Sequence, residues 1–203
     1  MIPLLCLGAA LLYLAASSTF IHHREAPYIS FGLIAIHAGS PIHLSSVHAA
    51  GNLFWIGKDT VSYCPAIDGL ECPGGNHTTF ITVSGSQYLR LNTMVPGGQS
   101  VYVLPDGTLG STPAHCDFSP EGSRFEGFNA IAPDSPYNPG SLTFDGADFL
   151  ACPTNGTSGP YQVFVNTDGI SDSDVPCSLW ECISFVGATF RNTNDSASAW
   201  QYQ

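Results

Sequence analysis

Short apolar segments separated by clusters of turn-forming residues constrain the fold of this chain more than any other feature. The segments are rich in β-branched and aromatic residues, and Pro, Gly, Asn, Asp and Ser collect between them. No window of about 12 residues shows a helical stripe with caps, so we predict an all-β fold. The predicted strands are residues 31–37, 42–47, 52–57, 79–83, 87–92, 100–104, 141–146, 148–153, 161–165 and 182–190.

A looser regularity indicates three similar units of about 50 residues each. A strand of the L-x-L type occurs at residues 42–44, 89–91 and 142–144, and a second apolar strand follows each of them. We therefore favour a β-trefoil-like barrel, with a two-sheet β-sandwich as the alternative that accounts for the same strands. In the trefoil, the tail at residues 199–202 is expected to pair near the first strand and close the barrel.

The N-terminal segment predicts export. Residues 2–16 are apolar and uncharged, but at about 15 residues they are shorter than the ~20 that a membrane span needs. Small residues follow, as at a signal-peptidase site. We therefore expect a secretory signal at residues 1–18, a short extension at 19–30 and one all-β domain at 31–203, with no membrane anchor in the mature chain.

Export determines how the cysteines are interpreted. One of the seven cysteines, Cys6, lies in the predicted signal, and no C-x-x-C zinc motif occurs. In an oxidising compartment three disulfides are expected, and Cys64–Cys72 is the best local pair, whereas the sequence leaves the other pairings open. The six remaining cysteines are Cys64, Cys72, Cys116, Cys152, Cys177 and Cys182. Sequons at Asn76, Asn155 and Asn194 predict N-glycosylation.

Charge excludes one class of partner. The chain has 5 Lys+Arg against 16 Asp+Glu, which gives a formal net charge of -11. Five basic residues cannot neutralise a phosphate backbone, so nucleic-acid binding is not expected. An acidic balance suits an extracellular, acidic environment.

Several spaced blocks resemble a known family. The blocks are residues 31–57, 63–65, 72–78, 95–115, 140–146, 148–153, 161–166 and 199–203. In this order they resemble the family of small secreted ascomycete proteins that includes cell wall protein PhiA and IgE-binding proteins. The resemblance covers nearly the whole predicted mature chain and includes four of the six cysteines.

The resemblance implies a secreted protein of the fungal cell wall. It also implies links to phialide and conidium formation and recognition by IgE, and it supplies no catalytic residues. A Cys152–Cys182 disulfide is implied as well, which would leave Cys116 to pair with Cys177.

Catalytic and metal chemistry find little support in the residues themselves. His37, His43 and His48 could approach Asp59 around a turn, but scattered structural histidines are the better interpretation. The Asp-Gly pairs at residues 106–107, 145–146 and 168–169 have the form that tight turns require. Asp172 and Asp174 match no calcium-loop pattern, and no nucleophile elbow is present. We therefore predict a non-catalytic protein that needs no cofactor or metal.

Binding is the competing hypothesis. Aromatic side chains supply the stacking faces that sugars need, although each is more often a core residue. We single out Trp180, which lies between two cysteines, and Tyr137 as candidate carbohydrate-binding residues. The sequence thus predicts a wall-associated glycoprotein with a structural or adhesive role, and a lectin-like module is the alternative. Its expected partners are wall polysaccharides or wall proteins.

Overall fold

The structure is a computed structural model that describes residues 27–135, 137–156, 158–191 and 197–203. The predicted signal segment, Cys6 and Asn194 lie outside these residues. Within them no helix has the length and apolar character of a membrane span. The described segments form β-strands, all of which pair antiparallel, and one 3₁₀ turn at Leu179–Glu181.

The strands, in chain order, are β1 (Tyr28–Ile36), β2 (Val47–Ala50), β3 (Leu53–Ile56), β4 (Ser62–Tyr63), β5 (Phe80–Val83), β6 (Arg90–Leu91), β7 (Gln99–Val103), β8 (Leu109–Ser111), β9 (Phe128–Ile131), β10 (Gly140–Phe144), β11 (Phe149–Asn155), β12 (Ser158–Val165), β13 (Ile183–Arg191) and β14 (Gln201–Tyr202).

Nine strands pair in a closed ring. Its order is β1-β5-β6-β7-β8-β3-β12-β11-β13, and β13 returns to β1 with Phe31 opposite Arg191. The first residues of β13 pair with β11, and its remainder lies between β1 and β10. Strand β9 pairs with β10, and β2 pairs with β3. The all-β prediction is confirmed, whereas the preference for a trefoil over a sandwich stays a prediction.

Phenylalanines fill the core that this ring encloses. Phe54, Phe80 and Phe31 are fully buried, and the Phe80 ring centroid lies 5.4 Å from that of Phe54 and 5.8 Å from that of Phe31. Phe128 and Phe144 make an edge-on pair at 4.9 Å. Burial of such large apolar side chains is the main favourable term in folding a chain with few charges.

Two predicted segments differ from the structure. The segment predicted as a strand at residues 42–47 is a turn through Leu44, which has φ of 63°. Its apolar character arises because Ile42 is fully buried in a turn that folds back on β1, where the Leu44 N–H donates to the Ala35 carbonyl. The first of the three repeat units therefore lacks its leading strand.

The C-terminal tail also pairs elsewhere than expected. Strand β14 pairs with β4, not with the first strand, and β13 closes the ring instead. Gln99, fully buried, holds the tail through bonds from its Nε2 to the Tyr202 carbonyl and from the Tyr202 N–H to its Oε1. At the other end, β1 begins at Tyr28, so the last residues of the predicted N-terminal extension belong to the sheet.

Two of the three expected disulfides are present. Cys64 is bonded to Cys72, and Cys152 is bonded to Cys182. The third pair, Cys116–Cys177, is not formed in the structure, where both residues are free thiols. Cys116 is exposed, whereas the Cys177 sulfur lies 3.7 Å from that of Cys182, so its nearest partner is a sulfur that is already bonded.

Candidate functional site

The two aromatic residues singled out from the sequence are exposed but belong to separate elements. Trp180 lies on the 3₁₀ turn Leu179–Glu181 with 82% of its surface accessible. Tyr137 is 96% exposed in the turn between β9 and β10. None of the contacts among the described residues brings the two side chains together. Each offers an aromatic face to solvent, and neither lines a described cavity.

The candidate acidic residues have structural partners. Asp106 accepts the Thr108 N–H at 2.9 Å within the β7–β8 turn. Asp145 and Gly146 both have positive φ in the two-residue turn after β10, as a type I′ turn requires, which confirms that reading of the Asp-Gly pair. The Asp145 carboxylate also pairs with Arg124 at 2.6 Å.

The acidic residues of the loop after β12 also have structural partners. Asp172 accepts the Leu179 N–H at 2.6 Å, and Asp174 accepts the Ser171 N–H at 2.8 Å. Both carboxylates therefore fix the shape of a turn. They do not face each other across a cavity, as a pair of glycosidase carboxylates would.

The histidines of the first quarter do not converge either. The His37 ring contacts the Ser184 carbonyl, and the His43 Nδ1 accepts the His37 N–H at 3.3 Å. His48 lies on β2, where its Nδ1 is 2.7 Å from the Thr60 hydroxyl. His22 and His23 lie outside the described residues. In the described ranges, the only group of three potential soft-metal ligands is Cys152, Cys177 and Cys182, two of which form a disulfide.

His48 borders a cavity of about 380 Å³ that also contacts His77, Thr78, Phe190 and Arg191. Burial lowers the pKa of His48, Asp59 opposes this effect, and His77 adds to it. His48 is therefore held neutral near pH 7. The His48 Nδ1 is already bonded to the Thr60 hydroxyl, and that hydroxyl lies 3.0 Å from the Thr78 hydroxyl. These bonds give the His48 side chain a structural role in the fold.

A larger groove is lined by residues that the sequence did not single out. It has a volume of about 620 Å³. We define the aromatic groove by Tyr88, Arg90, Asp117 and Phe125, which contact it together with Leu89, Gly97, Gly98, Ser100 and Thr112. A second depression of about 390 Å³ shares Tyr88 and Phe125 and continues to Arg124 and Glu126.

Strand β6 and the segment before it position the aromatic groove. Leu89 and Leu91 are buried, so the alternate residues Tyr88 and Arg90 face outward on the same side. Tyr88 is 52% exposed, and its hydroxyl contacts the Glu126 carboxylate. Phe125 is fixed by an edge-on contact with Tyr102 at 5.8 Å. The alternation in residues 87–92 was the signal that could have revealed this face.

Gly98 shapes the charged end of the aromatic groove. The Arg90 guanidinium contacts the Gly97 carbonyl and passes directly over Gly98. A Cβ at Gly98 would lie 2.6 Å from the Arg90 Nη2, and Gly98 also has φ of 64°. Only glycine meets both conditions without a shift. The Arg90 side chain is thereby held against the backbone of Gly97 and Gly98. Asp117 supplies the opposite charge in the same groove.

The arrangement has the features of a binding surface for a polar ligand with apolar faces. Two aromatic side chains, Tyr88 and Phe125, line it together with groups that donate or accept hydrogen bonds. Pockets of this kind bind by stacking on the aromatic faces and orient the ligand through the few polar groups. Since Arg90 and Asp117 carry opposite charges, the groove favours no strongly charged ligand.

The predicted glycosylation positions are accessible where they are described. Asn76 and Asn155 are both exposed. Thr78 of the first sequon is buried and accepts the Ala49 N–H at 2.7 Å. Thr157 of the second sequon lies outside the described residues.

Comparison with known proteins gives a consistent picture. Residues 31–203 match the family described as PhiA-like secreted protein. An uncharacterized secreted protein from Arthroderma benhamiae is 38% identical over 160 residues, which cover 77% of this chain and 76% of that protein. Cell wall protein phiA from Aspergillus fumigatus is 26% identical over 175 residues, which cover 82% of each chain. No solved structure matches.

Proposed function

This chain belongs to the family of PhiA-like secreted proteins, and from that premise we propose that it is a non-catalytic protein of the fungal cell wall that binds wall polysaccharide. The observation that carries the proposal is the aromatic groove. Tyr88 and Phe125 offer stacking faces, and Arg90 and Asp117 offer hydrogen bonds to hydroxyl groups.

An uncharged polysaccharide fits the charges of this chain. A formal net charge of -11 opposes binding to acidic polymers, while glucan and chitin carry little charge. Pyranose rings present apolar C–H faces between polar edges, which matches a groove lined by both aromatic and charged side chains. Among the acidic residues singled out from the sequence, Asp106, Asp172 and Asp174 each accept a backbone N–H, which supports a structural role for these three.

The test is retention on insoluble chitin and on insoluble β-1,3-glucan. We expect retention of the wild-type protein on at least one of them, and about tenfold weaker binding by the Tyr88→Ala variant, a change of about 1.4 kcal/mol. Tyr28→Ala is the matched control, because it removes an exposed tyrosine that lines neither the aromatic groove nor the depression beside it and was not a candidate for binding. Failure of the wild-type protein to bind any wall polysaccharide would contradict the proposal.

Trp180 defines the second place where binding can be tested. It is an exposed aromatic on a turn held by hydrogen bonds and a disulfide. Release of the protein by Trp180→Ala, with Tyr88→Ala still bound, would move the site to this turn. Release of soluble sugars from wall material by the wild-type protein would contradict the non-catalytic part of the proposal.

The roles in asexual development and IgE binding that the family resemblance implies are extensions of this proposal. A protein bound at the wall surface can affect phialide and conidium formation, and it is accessible to antibodies. Glycans at Asn76, Asn155 and Asn194 would add to the exposed surface. Conidium counts after gene deletion and IgE binding by the deglycosylated protein test these roles separately from polysaccharide binding.

A further inference from the structure

Three cysteine sulfurs meet where the chain returns from the loop after β12 to β13. Cys152 on β11 is bonded to Cys182, and the free thiol of Cys177 lies 3.7 Å from the Cys182 sulfur. All three sulfurs lie within 4.8 Å of one another. Neither the polysaccharide-binding proposal nor the fold requires a free thiol beside a bonded pair.

We propose that Cys152, Cys177 and Cys182 form an intramolecular thiol–disulfide exchange site, in which the disulfide moves between Cys152–Cys182 and Cys177–Cys182. The Cys177 thiolate attacks the Cys182 sulfur, and a bond forms between these two atoms. The Cys152–Cys182 bond breaks, its electron pair stays on the Cys152 sulfur, and that sulfur takes up a proton. One thiol and one disulfide are present before and after, so no oxidant or reductant is consumed.

The geometry requires a small movement. Because all three sulfurs lie close together, the Cys177 sulfur flanks the disulfide and does not extend its line. A rotation of the Cys177 side chain is needed to bring the attacking sulfur into line. Cys177 is only partly buried, and it precedes the turn at Leu179–Glu181, so this rotation does not disturb the strands.

The exchanged state leaves an acceptable product. Cys152 is fully buried, and its surroundings are the apolar side chains of Leu150, Phe164 and Val175. A neutral thiol behaves as a small apolar group in such a place. Exchange therefore converts a bond with one fully buried sulfur into a bond between two partly exposed cysteines, and it leaves no buried charge.

Local charges set the conditions for the reaction. Burial raises the pKa of the Cys177 thiol, and the carboxylates of Glu181 and Asp172 raise it further. The thiolate is the reactive form, so the exchange rate should increase about tenfold per pH unit below that pKa. At pH 5 the thiolate is scarce, so the Cys152–Cys182 pair present in the structure should persist.

The experiment maps the thiols of the full chain after incubation at pH 5 and at pH 8.5. Acid quenching, alkylation under denaturing conditions and peptide mass spectrometry identify free and bonded cysteines. At pH 5 we expect the alkyl label on Cys116 and Cys177. At pH 8.5 we expect part of the label on Cys152, together with a peptide linked through Cys177 and Cys182.

Three variants separate this exchange from other reactions. Cys116→Ser should leave the redistribution unchanged, because Cys116 is outside the cluster, and Cys177→Ser should abolish it. In Cys152→Ala, folded in a glutathione buffer whose disulfide form is the oxidant, the Cys177–Cys182 bond should form directly, which tests whether the two sulfurs reach each other. Near-ultraviolet circular dichroism verifies that each variant is folded.

Three outcomes would overturn the proposal. One is that Cys152 takes up no label in the wild-type protein at pH 8.5. Another is that Cys177 and Cys182 remain thiols in folded, oxidised Cys152→Ala. The third is that neither Cys116 nor Cys177 takes up label at pH 5, since the two residues would then be bonded to each other. Binding to chitin or glucan is not measured in these experiments, so their result is independent of the proposed function.

Discussion

The strand ring and the loop of residues 166–182 are stabilised in different ways. The ring encloses fully buried phenylalanines and is closed by backbone pairing between β1 and β13. The loop covers a small apolar cluster around Val175 and owes its shape to side-chain bonds and to the Cys152–Cys182 disulfide. Because the two regions have separate buried clusters, we expect that the bonds of the loop can be changed without loss of the ring core.

The largest effect should come from the ring core. Replacement of Phe54 by alanine removes a fully buried ring whose centroid lies 5.4 Å from that of Phe80, and we expect a loss of about 3–5 kcal/mol in unfolding free energy. Urea denaturation measures it. Phe118→Ala, at a residue 67% exposed, is the control and should change stability by less than about 0.5 kcal/mol. A small loss for Phe54→Ala would show that burial does not dominate the ring.

Removal of each disulfide should sharpen the contrast. The Cys152–Cys182 bond closes a separation of 30 residues and Cys64–Cys72 one of 8, so the chain-entropy estimate gives losses of about 3–4 and about 2–3 kcal/mol. We expect the Cys152→Ala/Cys182→Ala double variant to keep its strands, while limited proteolysis cuts it within residues 166–182. The Cys64→Ala/Cys72→Ala variant should resist cleavage there. Loss of the strand signal in the first variant would mean that loop and ring fold as one unit.

Only some of the strands can be predicted from the alternation of apolar and polar residues. Period-two alternation predicts β10, because Leu142 and Phe144 are buried in the core whereas Ser141 and Thr143 between them are only partly buried. It fails at residues 42–47, where Ile42 is apolar because it fills a turn. It also passes over β9, where Phe128 is buried but Asn129 and Ile131 are both exposed, so a single residue of the strand is fully buried and pairing with β10 supplies the rest of its contacts.

The candidate site was less accessible to prediction than the fold. Tyr88 and Arg90 come from the segment before and within β6, whereas Asp117 and Phe125 come from the long connection between β8 and β9. Such a groove depends on the pairing order of the strands, which local patterns do not encode. The Cys152–Cys182 pair was implied by family resemblance, while the position of Cys177 beside it is a three-dimensional result.

A smaller effect should distinguish the turns of the two regions. Asp172→Ala leaves the Leu179 N–H of the loop without its acceptor, and Asp106→Ala does the same to Thr108 in the ring hairpin. We expect each to cost about 1 kcal/mol. Hydrogen exchange should then accelerate at Leu179 in the first variant with the strand amides unchanged. In the second variant, the amides of β7 and β8 should accelerate together, because their hairpin belongs to the cooperative ring. Uniform acceleration in both variants would remove the distinction.

The smallest effect concerns pH and belongs to β2, which pairs with the ring strand β3, and not to the loop. Burial lowers the pKa of His48 below its ordinary value of 6.5, so the unfolded chain binds a proton more readily than the folded one. This contribution to stability is complete above pH 6.5 and is lost as the pH falls from there through the folded-state pKa. Residues 166–182 contain no histidine, so the stability of the loop should not share this pH dependence.

We expect the melting temperature of the wild type to fall between pH 7 and pH 5 by more than that of the His48→Gln variant. The His43→Gln variant is the control, because His43 is an exposed histidine. An equal decrease in all three proteins would assign the acid sensitivity to groups other than His48.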